Sequence, residues 1–194
     1  GRRVARGVWR DRERPILINN WEATYFSFDE AKLDRLADEA ARAGIELFVL
    51  DDGWFGIRDD DRSSLGDWVT YEAKLPSGLK ALGERLAAKG LAFGLWFEPE
   101  MISRNSDLFR ARPEWVLGSP GRDLSEGRSQ LVLDMGRADV QDHLIRTVSS
   151  VLKSAPISYV KWDMNRHQTE AWSAMVAPER QGETQHRYML GLYR

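Results

Sequence analysis

The chain has 194 residues, 42% hydrophobic and 10% aromatic, with a formal net charge of −2 and no cysteine. That charge gives no positive field for nucleic acid or an anionic membrane, and the missing cysteines exclude disulfides, thiolate metal sites and cysteine nucleophiles. No apolar run approaches the ~20 residues of a membrane span, and the arginine-rich start has no apolar segment or cleavage site after it, so a cytoplasmic protein is expected.

Residues 1–14 read as a solvated lead-in, with acids mixed among the arginines. "PILI" opens the first strand, near 15–20, entered through a proline. In "SFDEAKLDRLADEAARAG" Asp29 is the expected helix N-cap, Leu33, Leu36, Ala37 and Ala40 keep helical spacing, and Gly44 is the stop. "IELFVL" begins the second strand, 45–51, ending on Asp51 and Asp52. A polar stretch from Gly53 to Gly78 follows, then a helix in "LKALGERLAAKG" that ends at Gly90. The third strand is 91–97, a short helix is expected near 104–112, and "SQLVLD" is read as a fourth strand, 129–134. The helix "RADVQDHLIRTVSSVLKS" leads to a fifth strand, 157–163, and "GETQHRYMLGLYR" reads as a last helix.

Strand and helix alternate, which gives an α/β fold with a parallel sheet and outer helices. Connections from helix to strand are short, whereas several from strand to helix are long and polar, as when all strand C-termini face one functional rim. No G-x-G-x-x-G segment follows the first strand, which disfavours a dinucleotide site. A TIM barrel is therefore preferred over a doubly wound sheet, with about five strands present; a whole barrel commonly needs about 250 residues. No repeat or internal linker divides the chain, so 1–194 reads as one partial barrel domain.

On that plan the strand ends present Trp21 and Glu22; Asp51, Asp52 and Trp54; Trp96, Glu98 and Glu100; Asp134; and Lys161, Asp163 and Asn165. Carboxylates among indoles suit a carbohydrate, because acids bind sugar hydroxyls and flat rings cover the C–H face of a pyranose. Each also has a plainer reading. Tryptophans fill cores, Asp51-Asp52 before Gly53 can form an Asx turn, Glu98 and Glu100 can brace the rim through arginines, and Asp134 reads as a loop cap. His143, His167 and His186 lack metal-ligand spacing, so no metal is expected. In "VKWDMNR" alternation puts Lys161, Asp163 and Asn165 on one face, where a buried lysine and aspartate cost desolvation unless they pair. A nearby ammonium would keep Asp163 ionised, as a nucleophile requires.

The segments "NNWEATYF", "LFVLDDGWFG", "GDWVTYEAKLPSGLKAL", "GLWFEPEM", "QLVLDMGRADV" and "VKWDMNR" together resemble glycoside hydrolase family 36, the bacterial-type α-galactosidases, in the family's own order. The resemblance implies a (β/α)8 barrel that cleaves terminal α-linked galactose with retention and without a metal or other cofactor. It implies that Asp163 is the nucleophile, that Lys161 and Asn165 bind neighbouring hydroxyls, and that Asp51 and Asp52 hold hydroxyls of the galactose ring. Trp21 and Trp96 would wall the pocket, and Arg128 in "EGRSQLVLD" matches a rim arginine that reaches the sugar or the nucleophile. The family's acid/base lies in a later "SDxxD"-like segment, which has no match after Asp163.

The expected partners are small-molecule galactosides, and the expected parent is a homo-oligomer of which this chain is an interior piece. Two other readings stand beside hydrolysis. One is galactosyl transfer to another sugar, as in raffinose-type synthases; the other is a non-catalytic sugar-binding fragment, since 1–194 alone is expected to be inactive.

Overall fold

The computed structural model describes residues 4–194; the first three residues of the lead-in lie outside it. Within the lead-in, Gly7–Arg10 form one 3-10 turn. Strand β1, Leu17–Asn19, is followed by a single helical turn, α1, Trp21–Thr24. Helix α2, Glu30–Arg42, starts where Asp29 accepts the Lys32 N–H at 2.7 Å. It ends before Gly44, whose φ of +79° suits a residue without a Cβ. Its Leu33, Ala37 and Ala40 are buried, the stripe that the helical spacing requires.

Strands β2 (Leu47–Leu50), β3 (Ala92–Phe97) and β6 (Ile157–Trp162) join β1 in one parallel sheet of order β1-β2-β3-β6. Helix α3, Gly78–Ala88, precedes β3, and α5, Ala138–Ser154, precedes β6. On one face Phe48, Leu50, Phe93, Leu95 and Phe97 join Leu33, Ala37, Leu79, Leu82 and Leu86 in the core. The packing is close: a Cβ on Gly83 of α3 would meet Pro156 Cγ at 2.6 Å. On the other face Val49 and Tyr159 crowd Gly94 from both sides, at 2.9 and 3.0 Å from where its Cβ would stand.

One expected strand goes elsewhere. Only Leu131–Val132 of 129–134 is extended, as β5, and it pairs antiparallel with β4, Met101–Ile102, in a separate two-stranded sheet. The parallel sheet therefore has four strands, not five. An apolar run such as "LVL" signals burial, and here burial comes from a small rim sheet beyond β3, whose own sheet neighbour is β6. The sheet is open. Leu17 and Ile18 on one edge strand are 41% and 40% exposed, and Tyr159 and Trp162 on the other are 40% and 48% exposed.

Short helix α4, Asp107–Ala111, falls inside the expected 104–112, and α6, Thr184–Leu192, is the expected last helix. α6 packs so closely that a Cβ on Gly191 would lie 1.8 Å from the Met135 carbonyl oxygen. No helix among the described residues is long and apolar enough to cross a membrane.

Candidate active site

Every strand of the parallel sheet points its C-terminal end at the same rim, so the residues that follow β1, β2, β3 and β6 converge there. After β1, Asn20 is buried and its side-chain oxygen accepts the Asp51 N–H at 2.8 Å. After β2, Asp51 pairs with Lys161 of β6, Oδ2 to Nζ at 2.7 Å, and its other oxygen accepts the Asp52 N–H. The lysine's direct partner is thus Asp51, not Asp163.

Asp52 faces a different cation. Arg58, itself 1% exposed, grips it through Nε at 2.5 Å and Nη2 at 2.8 Å. Burial pushes the Asp52 carboxyl above its usual value, against the hydrogen bonds and charge of Arg58. The guanidinium lies over Phe26, 5.6 Å from its ring centre, and Trp21 meets that ring edge-on at 5.1 Å. Trp21 is half-buried, with its rim-side neighbours Tyr25 and Phe26 both edge-on to it.

Asp163 stands one residue past β6, its N–H anchored on the Phe97 carbonyl. Its Oδ2 accepts from Trp96 Nε1 at 3.0 Å and from Asn165 Nδ2 at 2.9 Å, and its Oδ1 accepts the Met164 N–H. Burial works to raise this carboxyl; the hydrogen bonds from Asn165, Trp96 and Met164, with the Lys161 charge behind them, outweigh it and hold Asp163 below the usual carboxylate range. Trp96 contributes its N–H, while its ring is buried and stacked on Phe55 with 7° between the planes.

The remaining acids and rim residues have partners of their own. Among the described residues Glu98 and Glu100 meet no arginine: Glu98 accepts from Asn165 N–H and Gln130 Nε2, and Glu100 from Trp162 Nε1 and the Tyr188 hydroxyl. Arg128 is exposed at φ +53°, and among the described residues it makes no hydrogen bond or ion pair with the acids. Trp54 is core, with its N–H on the Trp96 carbonyl, and Glu22 turns outward to the Tyr25 hydroxyl. Asp134 is the loop cap expected, accepting the Gly136 N–H and the Ser173 hydroxyl. Among the described residues no cluster of three or more His, Cys, Asp or Glu side chains could hold a metal.

A cavity of about 880 Å³ lies at the opposite end of the strands, lined by Trp9, Arg14, Glu46, Leu47 and Tyr159. Its lining has none of the carboxylates described above. It is space beside an open sheet, away from the rim.

A family model described as Melibiase matches residues 1–194. The chain belongs to the melibiase family. It is 65% identical to α-galactosidase AgaA of Geobacillus stearothermophilus over 99% of its own length, and 52% identical to α-galactosidase 1 of Pediococcus pentosaceus over 98%. Crystal structures described as GH36 α-galactosidase AgaA align over 98% of the chain at 64% identity, one in complex with raffinose at a TM-score of 0.96. An α-galactosidase from Thermus thermophilus, solved with p-nitrophenyl α-D-galactopyranoside, aligns over 79% at 33% identity and a TM-score of 0.66. These matches bear out the family 36 resemblance carried by the six segments. The chain spans about a quarter of the length of the curated relatives, 26% of each of the two named.

For this melibiase chain the residues that sequence reasoning missed are Asn20, Arg58 and Gln130. Each acts by holding an acid rather than by belonging to a motif of acids. The one available signal was an arginine in a polar loop six positions after Asp52, which is too common to single out.

Proposed function

We propose that residues 1–194 are part of the catalytic barrel of a retaining α-galactosidase, in which Asp163 is the nucleophile. Its carboxylate attacks C1 of a terminal α-linked galactose, the glycosidic C–O bond breaks, and the departing oxygen takes a proton from a second carboxyl. Water then attacks C1 of the galactosyl ester and gives its proton to that second group, and Asp163 is released as the carboxylate. Retaining geometry asks for the two carboxyls about 5–5.5 Å apart.

The observation that carries this reading is the setting of Asp163: a carboxyl at a strand's C-terminal end whose oxygens accept N–H groups of Trp96, Asn165 and Met164. Buried Asp51 and half-buried Lys161, paired beside it, suit the binding of adjacent sugar hydroxyls, and the Arg58-held Asp52 suits another. Trp21 and Trp96 are assigned to the pocket walls, Asn165 to a hydroxyl as well as to Asp163, and Arg128 to the rim. The relatives named as α-galactosidases support the substrate class.

The test is Asp163→Ala in the complete protein, assayed on a nitrophenyl α-galactoside. Hydrolysis should fall by about four orders of magnitude or more, and added azide should restore turnover with β-galactosyl azide as product. Undiminished hydrolysis would remove Asp163 from the role.

A further inference from the structure

Glu98 is a buried carboxylate, 1% exposed, with no cation paired to it among the described residues. Its two oxygens face two parts of the rim. Oε1 accepts the Asn165 backbone N–H at 2.5 Å, and Oε2 accepts Gln130 Nε2 at 3.1 Å. Asn165 in turn donates its side chain to Asp163 at 2.9 Å. Gln130 closes the turn in which Arg128 and Ser129 take φ of +53° and +58°, and its carbonyl is held by Arg166 Nη1 at 2.8 Å.

We propose that Glu98 is a positioning residue that fixes the Asn165 backbone so that the Asn165 amide stays on Asp163, and that it ties this arrangement to the Gln130 turn. The reason is geometric. Asn165 lies beyond the end of β6, where no sheet hydrogen bond holds it, and the Glu98 carboxylate is what its N–H meets. Burying a carboxylate there carries a desolvation cost, which a purely space-filling side chain would avoid. The two N–H donors offset part of it and convert Glu98 into a brace between segments 32 and 67 residues away in sequence.

This rests on Asp163 having the role given above, so the test has one arm that does not depend on activity. In the complete protein Glu98→Leu removes both acceptors. Glu98→Gln keeps one oxygen for Asn165, and its new NH2 can meet Gln130 Oε1, a buried atom that has no partner, after a half-turn of the Gln130 amide. With kcat expressed per active site titrated, Glu98→Leu should lose about 10–100-fold in kcat with KM for a nitrophenyl α-galactoside changed far less. Glu98→Gln should recover at least about tenfold of that loss. Equal damage in both variants, or wild-type kcat in Glu98→Leu, would overturn the proposal.

Should Glu98→Leu fail to fold, Gln130→Met and Asn165→Ala form a double-mutant cycle. Their effects on kcat should be non-additive by about threefold or more, since Gln130→Met acts through an amide that Asn165→Ala has removed. Strict additivity would contradict the brace. Crystal structures of the Glu98 variants supply the independent arm: the Asn165 amide should remain on Asp163 in Glu98→Gln and leave it in Glu98→Leu. An unmoved amide refutes the positioning role, whereas intact hydrolysis by Asp163→Ala refutes only the nucleophile assignment.

Discussion

Lys161 Nζ stands 2.7 Å from Asp51 Oδ2, and the pair joins the ends of two strands that share no hydrogen bond, because β3 lies between them. Asp51 is 3% exposed while the lysine side chain is 35% exposed, so the acid depends on the base more than the reverse. Lys161→Met in the complete protein leaves a buried carboxylate without its cation. Stability should fall by about 1–3 kcal/mol, read from the denaturation midpoint, and kcat/KM on a nitrophenyl α-galactoside by about 100-fold or more. A variant with normal kcat/KM would mean that the pair serves folding alone.

Asp163 is held below the ordinary carboxylate range, chiefly by hydrogen bonds that outweigh its burial. Its charge therefore persists as the pH drops through about 3.9, the ordinary aspartate value, and the acid limb of kcat/KM due to the nucleophile should lie below that point. The sign carries over to stability. A depressed folded-state pKa contributes stability that is present above the unfolded value and lost as pH falls through the folded one. A pH–rate profile with the acid limb well above 4 would place the nucleophile elsewhere or in another state.

Trp96→Phe separates the indole N–H from the ring. The stack on Phe55 survives, but Asp163 Oδ2 keeps only the Asn165 amide. A charge-assisted hydrogen bond is worth about 1.5–3 kcal/mol, so kcat/KM should fall about 10–100-fold and the acid limb should move up in pH. Michaelis kinetics across pH on the purified variant checks both.

Asp29→Ala tests the local folding argument away from the rim. It deletes the acceptor for the Lys32 N–H at the start of α2 and should cost about 0.5–2 kcal/mol. The urea midpoint should drop while kcat stays at the wild-type value.

Gly191→Ala probes the docking of α6. The added Cβ would meet the Met135 carbonyl oxygen at 1.8 Å, so helix or loop must shift. The expected loss is about 1–3 kcal/mol, as for other overpacked sites, and a crystal structure should show α6 displaced. An unchanged melting temperature would mean that the contact yields without strain.

Much of the fold was legible because it depends on near neighbours in the chain. Asp29, the stripe Leu33-Ala37-Ala40 and Gly44 bound and orient α2 through i to i+4 geometry, and the strand ends followed from apolar runs that stop at acids. The fourth expected strand went astray for the complementary reason. Leu131 and Val132 have the composition of a barrel strand, but their hydrogen-bond partners are Met101 and Ile102. Composition states that a run is buried; it does not name the neighbour.

The site divides along the same line. Alternation along "VKWDMNR" led to the expectation that Lys161, Asp163 and Asn165 share a face, although β6 ends at Trp162 and the latter two lie past it, and the family resemblance put a role on each. Only the tertiary structure decided their partners: Lys161 on Asp51, 110 residues away, Trp96 and Asn165 on Asp163, Arg58 on Asp52, and Arg128 bonded to none of them. Period-2 geometry is a property of one strand, whereas a buried charge must be met by whatever group the sheet order brings alongside it, and that order is set by packing of the whole chain.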